Sequence, residues 1–180
     1  MASSKLSKTD LDALYELSSV GASHAARAFT AVLGCEVSAG APSILRVDEH
    51  RPDGGWPTGV IFESDGELCG LVAILLPRGA REVLASSLLA GITAGDREEA
   101  FASALRELGN IVASRTISAM ADLLGSRILL SVPTLVMDGA DFELSRQLAQ
   151  RGSDYWIESE LASAEAALKA RVVLIPETKP

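Results

Sequence analysis

The sequence predicts one α/β domain, residues 1–180, in which two long helices pack on a mostly antiparallel sheet of about six strands. Three observations carry this reading. Two long stretches with helical apolar spacing, Lys8–Leu33 and Asp96–Leu124, each stop at a glycine. Short apolar runs with strand character follow each of them. The two helix–strand units also match each other at one constant offset, which divides the chain into a pseudo-twofold pair of internal repeats, about residues 9–90 and 96–176.

The elements follow in order. Thr9 or Asp10 is the expected cap of the first helix, whose apolar face is Leu11, Leu14, Leu17, Ala25, Ala28 and Leu33, and Gly34 ends it. Val37–Val47 reads as a strand interrupted near Pro42, and His50–Pro57, with two prolines and two glycines, as a loop. Two apolar runs, Gly59–Glu63 and Leu68–Leu76, flank Asp65-Gly66, a hairpin signal. A helix over Arg78–Leu89 and a loop over Ala90–Gly95 lead to the second long helix. Asp96, Glu98 and Glu99 crowd its first turn, as the helix dipole favours. Phe101, Leu105, Leu108, Val112, Ala119 and Leu123 form its core face. Ile128–Met137 is a strand broken by Pro133, Asp141–Gln150 a short polar-faced helix, and Tyr155–Leu161 and Lys169–Ile175 two last strands. The tail Pro176–Pro180 is expected to fray.

Composition narrows the function classes. With 48% hydrophobic and 22% charged residues the chain can bury a sizeable core, which excludes general disorder. A net charge of −8 argues against phosphate-contacting nucleic-acid binding and against docking on anionic lipid. Two cysteines, Cys35 and Cys69, exclude a disulfide scaffold, and both are expected to be buried free thiols. His24 and His50 are too far apart for a local metal motif, so no metal site is expected. They read as structural or surface residues, and Trp56 and Trp156 as packing residues. MASSKLSKTD has no apolar stretch of a signal peptide, and the longest apolar run, Leu71–Leu76, is far short of a membrane span. A cytoplasmic protein is the expectation. No Gly-rich phosphate loop and no nucleophile elbow is present.

The repeat has an offset of 91 residues. Glu16 maps to Glu107, Leu33-Gly34 to Leu124-Gly125, and Pro42 to Pro133, without a gap. Amphipathic helices match at many offsets; the shared Glu, Gly and Pro positions make this one specific. On the second helix Ser103, Glu107, Asn110 and Ser114 fall on one narrow stripe opposite the apolar face. Most polar stripes are simply solvated, but Asn is a poor mid-helix residue. The equivalent stripe on the first helix is Asp12, Glu16, Ser19 and Ser23.

Ser103-x3-Glu107-x2-Asn110, with Ile111, Ala121-Asp122-x-Leu124-Gly125 and Pro133, resembles the CheC/CheX/FliY phosphatases of bacterial and archaeal chemotaxis, and two motif copies at this separation resemble CheC most. Asp12-x3-Glu16-x2-Ser19 is similar to a degenerate first motif, with Ser19 in place of Asn and Ser18 in place of Gly. The resemblance implies a CheC-like fold. It also implies hydrolysis of the phosphoaspartate of a CheY-type response regulator, which itself supplies Mg2+, so that this chain needs no cofactor of its own. In that reading Asn110 positions the attacking water, Glu107 pairs with the regulator's active-site Lys, and Ser103 supports docking. A water held by the shorter Ser19 would be displaced by roughly 1–2 Å, and about 1 Å can cost on the order of 10²-fold. Two other readings stay open. One is a weak or inactive module that binds phosphorylated regulator or the deamidase CheD; the other is a flagellar-motor adaptor.

Overall fold

The structure, a computed structural model, describes residues 6–93 and 95–177. Helix α1 (Lys8–Leu33) begins at Ser7, not at Thr9 or Asp10. The Ser7 hydroxyl accepts the Asp10 N–H at 3.2 Å, and the Asp10 carboxylate accepts the Ser7 N–H at 2.9 Å. Asp10 therefore works backward, as the third residue of a capping box, rather than as the cap itself. Gly34, at φ 70°, closes the helix in the left-handed conformation that glycine adopts without steric cost.

Strands β1 (Ser38–Ala39) and β2 (Ser43–Arg46) are two pieces of one edge strand. A loop over residues 47–57 leads to β3 (Thr58–Gly66) and β4 (Gly70–Leu76), then to α2 (Ala80–Leu88) and α3 (Arg97–Leu124). The second half supplies β5 (Ile128–Leu130), β6 (Thr134–Val136), α4 (Ala140–Arg151), β7 (Tyr155–Ser163) and β8 (Leu168–Pro176). Asp96 caps α3, its carboxylate accepting from the N–H groups of Glu98 and Glu99, and Gly125 closes it at φ 62°.

All pairings are antiparallel, in the order β1-β7-β8-β4-β3-β5, with β2 also on β7 and β6 also on β3. Eight strand segments thus fill six columns, because each outer column is a broken strand. Pro42 and Pro133 sit in the breaks, where a residue without an N–H interrupts the ladder. Just before each proline the pairing still holds: the Gly40 N–H donates to Glu160 O at 2.8 Å, and the Ser131 N–H to Glu63 O at 2.9 Å. The outer columns are also exchanged. The broken strand that follows α1 lies against β7 of the second half, and the one that follows α3 lies against β3 of the first.

One sheet face carries α1, α2 and α3 over a core that includes Phe29, Phe62, Val72, Leu105 and Val112. On the other face α4 packs with Leu75, Trp156, Val173 and Ile175. Strand β4, and β8 from Val172 on, are covered on both faces, which is why these stretches are apolar runs, whereas β8 alternates over Leu168–Arg171, where Lys169 is exposed. Helices α1 and α3 run antiparallel: Leu14 near the start of α1 and Leu124 at the end of α3 line the same cleft, while Gly21 meets Thr116 and Met120.

Several local expectations are corrected. The expected hairpin is present as β3–β4, but it is not a two-residue Asp-Gly turn: the last β3–β4 pair is Ser64 with Gly70, and within the connection Asp65 and Gly66 also pair with Leu129 and Ile128 of β5. Leu123 is 49% exposed rather than in the core. Pro176 belongs to β8, and the Glu177 carboxylate accepts from Arg151 at 2.6 Å; the remainder of the expected frayed tail lies outside the described residues. Cys35 and Cys69 are free thiols but only partly buried.

Candidate functional site

The apolar face of α3 fixes the orientation of its polar stripe. Phe101, Leu105, Leu108 and Val112 are buried, so Ser103, Glu107, Asn110 and Ser114 point to solvent. Exposed Arg106 lies one turn before Asn110. The side chains of Ser103, Glu107 and Asn110 have no hydrogen-bond or ion-pair partner among the described residues. A carboxylate and a neutral amide are thereby presented side by side, about one helical turn apart, with their hydrogen-bonding capacity unspent.

Gly109 sets how close this stripe sits to the sheet. A Cβ at Gly109 would lie 2.8–2.9 Å from the Val60 side chain of β3, so only glycine lets α3 descend this far. Val60 pairs with Leu135 of β6, two residues past Pro133. Asn110, the Gly109 contact and the proline break therefore belong to one edge of the molecule. The identities of Glu107 and Asn110 are legible in the sequence; the reason for the glycine between them is not, because its contact lies far away in the chain.

The equivalent stripe on α1 is arranged differently. Asp12, Glu16 and Ser23 are exposed, whereas Ser19 is partly buried. Ser18 stands where α3 has Gly109. Its hydroxyl is buried without a partner, beside a gap of about 10 Å³ shared with Gly21, Thr116, Ile157 and Ser159. With Gly21 facing Thr116 and Met120, Glu16 lies opposite the end of α3, about 16 residues from Glu107 or roughly 24 Å along the helix axis. The two stripes are thus separate surfaces, not halves of one site.

The remaining residues singled out in the sequence gather elsewhere. On the opposite sheet face the His50 ring stacks on Trp156 with centroids 3.7 Å apart, and burial pushes the imidazole pKa below its ordinary 6.5. The Arg171 guanidinium lies 4.1 Å from the Trp56 ring centroid, and the Trp156 indole N–H donates to Glu158 at 2.7 Å. His50, Trp56 and Trp156 are thus packing residues of the second core. No helix of the described residues is long and apolar enough to cross a membrane.

Comparison with known proteins points to the same helix. The CheC-like family profile matches residues 102–137, a stretch that contains Ser103, Glu107, Asn110 and Pro133 and excludes the α1 stripe. The chain is 27% identical to the CheY-P phosphatase CheC of Bacillus subtilis over 188 residues, 96% of this chain and 90% of that relative. Its fold is similar to that of FliY from Thermotoga maritima, with a TM-score of 0.65 at 19% identity, covering 94% of this chain and 91% of that one. It is also similar to a chain in the CheX–CheY–BeF3–Mg complex of Borrelia burgdorferi, with a TM-score of 0.63 at 18% identity, covering 88% and 96%.

Proposed function

We propose that this chain, which matches the CheC-like family over residues 102–137, acts as a member of that family and dephosphorylates the phosphoaspartate of a CheY-type response regulator. The observation that carries this reading is the pair Glu107 and Asn110, exposed and unpartnered on a helix that Gly109 seats against β3. The curated relative supports it through its activity, and the similar fold in a complex of CheX with CheY supports a regulator as partner.

An aspartyl phosphate is a reactive acyl phosphate, and the regulator supplies Mg2+ to its phosphoryl group. What the complex must add is a water held in line with phosphorus. The Asn110 amide orients that water without presenting negative charge to the phosphoryl oxygens. The water oxygen bonds to phosphorus as the bond to the aspartyl oxygen breaks. Inorganic phosphate leaves, the regulator's carboxylate is regenerated, and the water's proton passes to phosphate or solvent. Glu107, one turn away, pairs with the regulator's active-site Lys; this fixes register and keeps the carboxylate's charge away from phosphate. Ser103 docks at the edge of the stripe. Asp12 and Glu16 form a second docking surface in which Ser19, short and partly buried, holds no productive water.

Phosphate loss from a purified, phosphorylated CheY-type regulator with Mg2+ tests the reading. The chain accelerates loss; Asn110→Ala reduces that acceleration by on the order of 10²-fold while leaving binding intact. Glu107→Ala weakens binding to the regulator. Tight binding with no acceleration would replace the phosphatase with a module that sequesters the phosphorylated regulator.

A further inference from the structure

The pseudo-twofold arrangement leaves one helix without a counterpart. Helix α2 packs against α3 and β8, burying Ala80 and Leu84 and placing Arg81 5.8 Å from the Phe101 ring. The 91-residue offset carries Phe101, Leu105 and Leu108 onto Asp10, Leu14 and Leu17 of α1. No helix covers that place among the described residues. An open cleft of about 500 Å³ lies there instead, walled by Leu14 and Leu17, by Leu68 ahead of β4, by Leu124 at the end of α3 and by Pro176 at the end of β8. Its walls are apolar; its rim is Asp10, Glu67 and Glu177, the last already paired with Arg151, and among the described residues no Lys or Arg lines it. Where α2 meets an aromatic ring, this cleft presents a carboxylate.

We propose that this cleft is a docking groove for one amphipathic helix of a partner protein, seated as α2 is seated on α3, with an aliphatic face turned into the groove and Arg or Lys along its flank. The template is in the molecule itself: a nine-residue helix with small and leucine side chains fills the equivalent place. The acidic rim sets the sign of the partner's charge, in a chain whose own net charge is −8. The groove lies beside the start of α1, while Glu107 and Asn110 lie on α3 at the other end of the helix pair, so its occupancy and the phosphatase reaction are separable.

The test uses the full chain and a fluorescent peptide with the sequence of residues 77–90, PRGAREVLASSLLA, made more basic by Ser86→Lys and Ser87→Lys. Fluorescence anisotropy is expected to show saturable binding that weakens as salt is raised. Ala13→Arg, at an exposed position on the groove wall, and Glu67→Arg, on its rim, each weaken it by about tenfold or more. Glu36→Arg, exposed beyond the far end of α1, leaves it unchanged, and a peptide carrying Leu84→Asp does not bind. Circular dichroism of the protein variants confirms that they are folded. Absence of binding up to roughly 1 mM peptide overturns the proposal. Binding insensitive to Ala13→Arg also overturns it, since the peptide is then exchanging with α2 or sitting elsewhere. Self-association of the chain that Ala13→Arg abolishes would assign the groove to a second copy instead.

Discussion

Ser18 and Gly109 occupy equivalent turns of the two long helices, and one side chain separates their consequences. Gly109 brings α3 down onto Val60, whereas the Ser18 hydroxyl is buried with no hydrogen-bond partner. A buried, unsatisfied hydroxyl costs about 1–3 kcal/mol. Ser18→Ala should therefore stabilise the protein by about 1 kcal/mol, read as a rise in Tm of roughly 2–4 °C. A fall in Tm would mean that a water fills the adjoining gap and satisfies the hydroxyl. His50 makes the corresponding argument for charge. Burial against Trp156 lowers its pKa below 6.5, with Arg171 acting in the same direction and Glu158, Asp141 and Asp53 against it. The unfolded chain then takes up this proton at higher pH than the folded one. His50 leaves stability untouched well above pH 6.5 and reduces it as pH falls through 6.5 toward the lower folded value. His50→Phe keeps a ring to stack on Trp156 and removes the titration. Thermal melts between about pH 7 and pH 5 should show a shallower acid-side loss of Tm for the variant. Equal slopes would remove His50 from the acid response.

Features fixed by neighbours in sequence were mostly legible, the cap of α1 at Ser7 rather than Thr9 or Asp10 being an exception, and those fixed across the sheet were less so. Both boundaries of α3 follow from Asp96 and Gly125, and its polar stripe follows from helical spacing, so the candidate residues Glu107 and Asn110 could be named from sequence. The β3–β4 hairpin was legible but the width of its connection was not, because Asp65-Gly66 also pairs with β5, an element far along the chain. Gly109 belongs to the second kind, since its packing partner is on β3. This makes a test at the element scale. Gly109→Ala places a Cβ under 3.0 Å from Val60, which the helix and strand can relieve only by moving apart. The expected cost is about 1–3 kcal/mol in chemical denaturation, although Ala is the better helix former. The proposed phosphatase activity should fall with it, because Asn110, the residue proposed to position water, rides on the same turn. Adding Val60→Ala makes room for the new methyl, so the double variant should be more stable than the sum of the singles predicts. Strict additivity would show that this contact does not set the height of α3.

At the scale of the whole molecule, exchanged outer strands govern the cooperativity of the fold. Each half holds a helix, a broken strand and a hairpin, but β1 and β2 pair with β7, and β5 and β6 pair with β3. Between the halves β4 also pairs with β8 along residues 70–75 of β4. Periodicity could place two helix–strand units in the sequence, but it could not show that their strands cross over, because offset matching is blind to pairing. The crossing has a physical consequence. A half taken alone exposes the edge of its hairpin and leaves its broken strand without a ladder, while the helix above loses part of the sheet it covers. Two fragments divided in the loop between Gly91 and Asp96 should therefore be unfolded or associating species on their own, without a cooperative melt. Mixed in equal amounts, they should recover a single cooperative transition and near-ultraviolet dichroism of the intact chain. Either fragment folding alone as a monomer, as judged by sedimentation and dichroism together, would show that the broken strand can close on the hairpin of its own half. In that case the exchange would be one of two accessible pairings rather than the interaction that joins the halves into one fold.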